Sequence, residues 1–155
     1  MGLSKKNDYH IYDVWNHTLK ALEKAQNDLD IRLALLLHDI GKPYSYQEEG
    51  NIRHFKGHPE KSDEIAKEIL TRLGYDKKQI EDICFLIGNH AKTIDVENVN
   101  EENLEITKKL LHIQYCDAYE YNQKYLRDVL DKLDTINRKL KIKEKIINSE
   151  KSEER

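Results

Sequence analysis

Cysteine is scarce in this chain of 155 residues: Cys84 and Cys116 are its only two, far apart and without the CxxC spacing of a redox or zinc-binding pair. Both read as reduced thiols filling a core. Long hydrophobic runs are missing too. The N-terminus holds no apolar stretch of signal-peptide length, and no segment approaches the ~20 apolar residues of a membrane span. The cytosol is the default compartment. Nor is there an excess of positive charge: 26 Lys and Arg stand against 29 Asp and Glu, for a formal charge of −3. That balance argues against nucleic-acid binding through a broad basic surface and leaves room only for local basic clusters. Repeats and low-complexity tracts are absent, and the length suits one domain with a real core.

What is present is helical periodicity nearly throughout. Val14, Thr18, Ala21, Leu22 and Ala25 fall on one face, and His17 shares it. Leu33 to Leu37 is apolar all round, as in a helix buried at the centre of a bundle. Gly41 stands where a left-handed cap is expected, with Pro43 as a stop. The stretch from Tyr44 to Phe55 has no period and reads as a loop. Pro59 then opens a helix with the stripe Ile65, Ala66, Ile69, Leu70 and Leu73, ended by Gly74. Asp76 and Gln79 form a capping-box pattern for the helix carrying Ile80, Ile83, Cys84 and Ile87 to His90. After a polar loop from Lys92 to Val99, Asn100 can cap a helix running through Leu104, Leu110 and Leu111 to Asp117.

Composition shifts beyond Tyr119. Leu126, Val129, Leu133, Ile136, Leu140 and Ile147 step by threes and fours amid dense charge, with Lys143 where one apolar residue is missing. One reading is a helix that forms a homodimer; the other is a helix lying back on its own domain. In either case the helix is expected to govern assembly and not chemistry. The expected division is a domain over 1–118, a helical extension over 119–148 and a disordered tail over 149–155.

The chemistry-bearing residues fall at the ends of separate helices. His17, His38, Asp39, His58, His90 and Asp117 are imidazoles and carboxylates, the groups that hold a divalent ion when three to six converge. Buried ionisable residues such as the consecutive His38 and Asp39 are rarely tolerated unless paired or bound to metal. The plainer alternative is a capping pair. Successive helical residues point about 100° apart, but near a fraying end the short Asp39 carboxylate can swing toward the same ion as His38.

The pieces "YDVWNHTL", "HDIGKP", "FKGHPEKSDEIAKEIL", "LIGNH" and "YCDA" occur in an order that resembles the HD superfamily of metal-dependent phosphohydrolases. The chain is most similar to the HD domain that follows the catalytic head of some bacterial tRNA nucleotidyltransferases. The match covers roughly His10 to Ala118. Nothing resembles the nucleotidyltransferase head, so the expectation is an HD domain acting alone. The resemblance implies an all-α bundle and four shared ligands, His17, His38, Asp39 and Asp117. It implies that His58 and His90 either bind a second ion bridged by Asp39 or contact the phosphate and protonate the leaving group.

The implied cofactor is one or two divalent transition-metal ions (Mn, Fe, Co, Ni or Zn). The implied reaction is attack on phosphorus by water that the metal activates, with Asp39, Lys42, His58 and His90 as the catalytic set. Lys42 is placed to neutralise phosphate oxygens. Lys56, Lys61, Lys92 and Arg53 are further substrate-binding candidates, each with solvated surface as the alternative. His54 shares the loop with Arg53. Asp13 reads as a cap or a partner orienting a ligand, and Trp15 as core or as a platform for a base. His112 matches nothing, and His10 adds only to the motif. The implied substrate is a nucleotide or an RNA-end phosphate ester, such as a 2′,3′-cyclic phosphodiester or a nucleoside monophosphate. The runner-up is a dinucleoside polyphosphate hydrolase or 5′-nucleotidase. From another class comes a metal-containing module that senses a nucleotide or docks on RNA without turnover.

Overall fold

The computed structural model describes residues 14–42, 46–49, 52–55, 57–119 and 123–153, with the backbone alone for the strand residues and His58. The helices are α1 (Val14–Glu23), α2 (Leu29–Leu37), α3 (His58–Arg72), α4 (Lys77–Asn89), α5 (Leu104–Ala118) and α6 (Gln123–Glu153). A hairpin of β1 (Tyr46–Glu49) and β2 (Ile52–Phe55) lies between α2 and α3, and a 3-10 turn, Val96–Asn98, lies between α4 and α5. The fold is the expected all-α bundle. Among the described residues no helix is long and apolar enough to cross a membrane.

The core gathers the apolar faces of α1 to α5. Asp28 starts α2 by accepting the Ile31 amide at 3.0 Å, and Lys109 of α5 pairs with Asp28 at 3.2 Å. Ile31, Ala34, Leu35 and Leu37 are buried, whereas Leu29 and Leu36 are 55% and 41% exposed. Burial all round, as the run of leucines suggested, is therefore not what the structure shows. Helix α2 packs on α1, α4 and α5 and leaves one flank open, and leucine is tolerated there because isolated exposed apolar residues cost little.

Helix ends follow local chemistry, with differences from expectation. Gly57 precedes α3 at φ 74°, with Pro59 in the first turn. At the other end Gly74, at φ 83°, lets the Tyr75 amide reach the Leu70 carbonyl at 3.2 Å and its own amide reach Thr71 at 3.1 Å, a Schellman closure. Among the described residues positive φ occurs at Gly57 and Gly74 alone, so Gly41 is not the left-handed cap expected. Instead α2 ends on right-handed His38, and the chain continues as a turn closed by Lys42 N–H on the Asp39 carbonyl at 3.0 Å. Asp76 caps α4 as expected, accepting from the Gln79 amide at 2.8 Å. The Gln79 side chain does not complete the box; it donates to Asp30 at 2.9 Å, joining α4 to α2. Asn100 caps only a turn, through Glu102 and Asn103, and α5 begins one residue after Asn103.

Two segments depart further. Tyr44 to Phe55, expected as a loop, contains an antiparallel pair in register Tyr46↔Phe55 to Glu49↔Ile52. The dipeptide Gly50-Asn51 that separates the strands in sequence is a common two-residue hairpin connector, a signal masked by the polarity of its surroundings. The second segment is α6, which continues to Glu153, so residues 149–153 are helical where disorder was expected. Extending an existing helix is far cheaper than nucleating one, and Lys151 anchors that end to Glu101 at 2.9 Å.

Helix α6 lies back on its own domain. Leu133, Leu140 and Ile147 are buried, and the helix packs on α5 and the 3-10 turn. Three residues of the stripe, Leu133, Leu140 and Ile147, are thus covered within the chain, while Leu126, Val129 and Ile136 are only partly buried. Lys143, the interruption in the stripe, sits over the 3-10 turn and donates to the Glu97 carbonyl at 3.5 Å. Two contacts fix the register of α6 on α5, Tyr115 to Asp134 at 2.6 Å and Lys108 to Glu144 at 2.9 Å. Cys84 and Cys116 are buried free thiols, as expected.

Candidate metal centre

His17, His38, Asp39 and Asp117 come together so that one donor atom from each lies within 4.8 Å of all the others. They arrive from three helices. His17 projects from the buried face of α1, beside Thr18 and Ala21. His38 is the C-cap of α2 and Asp39 the first residue beyond it. Asp117 lies in the last turn of α5. Helix C-termini carry partial negative charge from unpaired carbonyls, so two of these ends already favour a cation.

The contacts are short. His17 Nε2 lies 3.1 Å from His38 Nε2, 2.6 Å from Asp117 Oδ1 and 3.3 Å from Asp39 Oδ2. His38 Nε2 lies 2.9 Å from Asp117 Oδ1 and 3.3 Å from Asp39 Oδ2. His38 Nδ1 faces the Leu35 carbonyl. A carbonyl can only accept, so Nδ1 carries a proton and donates it, and in the neutral ring the Nε2 lone pair points into the cluster. Ligand bonds of about 2.0–2.1 Å place adjacent ligand atoms roughly 3 Å apart, so these spacings fit a divalent ion. The donor set fits as well, since two imidazoles and two carboxylates suit a borderline metal.

Charge within the cluster is strongly coupled. Burial opposes protonation of His38, but Asp39 and then Asp117 outweigh it and raise the ring above its ordinary value. Burial likewise works against the charge on Asp117, yet His17 and His38 hold the carboxyl well below the usual range. The site thus prefers to enclose positive charge. His17, His38 and Asp39 are essentially inaccessible, whereas the Asp117 side chain is 16% exposed.

His90 caps α4 as His38 caps α2. Its Nδ1 donates to the Ile87 carbonyl at 2.6 Å, and its Nε2 lies 3.8 Å from Asp39 Oδ1. Burial, reinforced by His38, lowers its pKa to about 4. Lys42 is also drawn in. It is 4% exposed, with its ammonium 3.1 Å from Asp39 Oδ2.

Other sequence candidates fall elsewhere. His58 begins α3, but its side chain lies outside the described residues, as do Lys56, His10, Asp13 and the side chains of Arg53 and His54. Lys61 pairs with Glu64 at 3.3 Å on an exposed face of α3. Trp15 is 43% exposed and is not core. His112 accepts the Gln26 amide at 3.0 Å, a structural contact between α5 and the loop after α1. Lys92 lines a cavity of about 450 Å³ together with His90 and Asp117.

Sequence reasoning missed three contributors. Ser62, fully buried, accepts the Gly41 amide at 2.7 Å and holds the turn after Asp39 against α3; its sole signal was its place in the "HPEKSDE" piece. Gln114 donates to the Lys92 carbonyl at 2.7 Å, tying the turn after His90 to the helix that carries Asp117. Lys132 of α6 lines the same cavity, and nothing in its local sequence sets it apart from the other lysines of that helix.

Comparison with known proteins agrees with this geometry. The family model of the HD domain matches residues 7–122. A CC-adding tRNA nucleotidyltransferase of Thermus thermophilus is 31% identical over 104 residues, covering 63% of this chain and 24% of the relative. An A-adding tRNA nucleotidyltransferase of Deinococcus radiodurans is 27% identical over 128 residues, covering 75% of this chain and 29% of the relative. The chain thus spans only about a quarter of the length of these curated relatives. No solved structure matches.

Proposed function

The chain belongs to the HD-domain family, and from that membership we propose that it is a metal-dependent phosphohydrolase acting on a nucleotide or an RNA-end phosphate ester. The observation that carries the reading is the convergence of His17, His38, Asp39 and Asp117 donor atoms within 4.8 Å. In this reading those four hold a divalent transition-metal ion, and residues 1–118 form the catalytic unit. A cation held there supplies Lewis acidity and activates water near neutral pH.

The remaining roles follow from the side chains. Lys42, held on Asp39 at 3.1 Å, stands beside the cluster, where its ammonium would offset negative charge building on phosphoryl oxygens. His90, with its pKa lowered to about 4, is neutral near pH 7. It would therefore suit the part of a ligand to a second ion, with His58 and Asp39, better than that of a proton donor. His58 remains the candidate for protonating the leaving oxygen. Both named relatives act on tRNA, which favours an RNA phosphate end or a cyclic phosphodiester among the substrates. The cytosol suits a protein with two free thiols.

The test is turnover by chelated and metal-reconstituted protein of an aryl phosphate, a 2′,3′-cyclic nucleotide and a nucleoside monophosphate. Metal-dependent release of phosphate or ring-opened product is expected. Nucleotide binding without turnover of any of the three would turn the reading into that of a sensing module.

A further inference from the structure

We propose that α6, which lies beyond the residues matched by the family model, forms one wall of the substrate cavity, and that this wall receives the organic part of a nucleotide-sized phosphate ester. The proposal rests on the phosphohydrolase reading and names the part of the chain that would read the substrate. The cavity beside the cluster measures about 450 Å³, within the range of about 300–1,000 Å³ usual for small-molecule sites and far more than a phosphate group alone requires. His90 and Asp117 line one side, and Val129, Lys132, Leu133 and Ile136 of α6 the other.

Asp117 joins the cavity to the metal site. Its side chain is 16% exposed, whereas His17, His38 and Asp39 are at most 2% exposed. An ester whose phosphate reaches the cluster past Asp117 must leave its organic portion in this cavity. The lining matches that division. Val129, Leu133 and Ile136 present an apolar surface suited to the face of a base, while Lys92 and Lys132 line the same space and supply its basic side chains. Lys132 makes no ion pair with any described residue, so its charge is available to an oxygen of the ligand. The wall is held in place by Tyr115 on Asp134 at 2.6 Å and by the burial of Leu133 and Leu140, so it offers a preformed surface rather than a swinging arm.

Thr135 offers the cleanest test because it lines the cavity but is exposed on the helix, where a larger side chain fills space without crowding the core. With the whole 155-residue chain loaded with manganese, calorimetry would measure binding of adenosine 5′-monophosphate and of inorganic phosphate to wild type, Thr135→Trp and Lys132→Glu. The expected result is nucleotide binding weakened by about tenfold or more in both variants, with metal content and phosphate binding by Thr135→Trp unchanged. Equal nucleotide affinity in all three proteins would overturn the proposal, and so would a wild type that does not bind the nucleotide. If the wild type binds it without hydrolysing any ester, while the variants bind it weakly, the cavity assignment stands and the hydrolase reading falls.

Discussion

The rings of His38 and His90 stand edge to face, with centroids 4.9 Å apart and an interplanar angle of 88°, and each is fixed by the same device. Both cap a helix, and both turn Nδ1 onto the carbonyl three residues earlier. A carbonyl of the last helical turn thereby sets the tautomer and aims Nε2 at the cluster. The two rings differ in electrostatics, since carboxylates raise His38 while burial lowers His90.

That difference gives a pH prediction for chelated protein. The His90 pKa falls from its ordinary 6.5 to about 4 in the folded state, so between those values the unfolded chain takes up a proton that the native ring refuses. Stability contributed by the neutral ring is present above pH 6.5 and is lost as pH falls toward 4, by on the order of 3 kcal/mol in all. His38, with its raised pKa, acts in the opposite sense, and its stability is lost as pH rises. The difference between wild type and His90→Asn isolates the first effect. Urea unfolding across this range should show a shallower acid slope in the variant, and identical slopes would contradict the buried neutral ring.

Asp39 touches His17, His38, His90 and Lys42, so its removal should act on the whole centre. Asp39→Ala should lower bound metal to a small fraction of wild type and abolish hydrolysis, while circular dichroism stays helical because Asp39 lies past the end of α2 rather than in its packed middle. Retained activity would sink the assignment.

Mixed imidazole and carboxylate donors should favour manganese, iron(II), cobalt, nickel or zinc over magnesium and calcium, which prefer all-oxygen shells. Chelation should silence turnover of the proposed substrates, and manganese, cobalt or nickel should restore it. Turnover undiminished in excess chelator would exclude the mechanism.

If His90 holds a second ion, elemental analysis of His90→Ala should fall from about two metals per chain toward one. If it serves the phosphate instead, metal content will stay constant while turnover drops.

Because α6 is docked on its own domain, Leu140→Ala should destabilise the protein by about 2–5 kcal/mol without changing its mass by light scattering. Leu140 is only 2% exposed in the single chain. A change in oligomeric mass with no loss of melting temperature would restore the dimer reading.

Much of this was legible in the residues themselves. Periodicity of apolar side chains placed the helices, and placed His17 on a buried face, because a repeat of 3.6 residues is a local property. Caps were legible where one side chain decides them, as at Asp76, and misleading where a neighbour competes, as when Gln79 turned to Asp30. The four metal-ligand candidates were recognisable from ordered motifs, each short and local.

What the sequence by itself determined was therefore the helices, the inward faces and the identity of the candidate donor groups. Tertiary structure alone decided where distant groups meet. His17 and Asp117 are one hundred positions apart in the chain, and only the packing of α1 against α5 brings them within 2.6 Å. The same holds for α6. Its stripe specified an apolar face but not the surface that would cover it, since hydrophobic burial is non-directional and satisfied equally by a second copy or by the chain's own core. The register set by Asp134 on Tyr115 and Glu144 on Lys108 lays Leu133, Leu140 and Ile147 on the chain's own core and places Lys132 in the cavity beside the candidate metal centre.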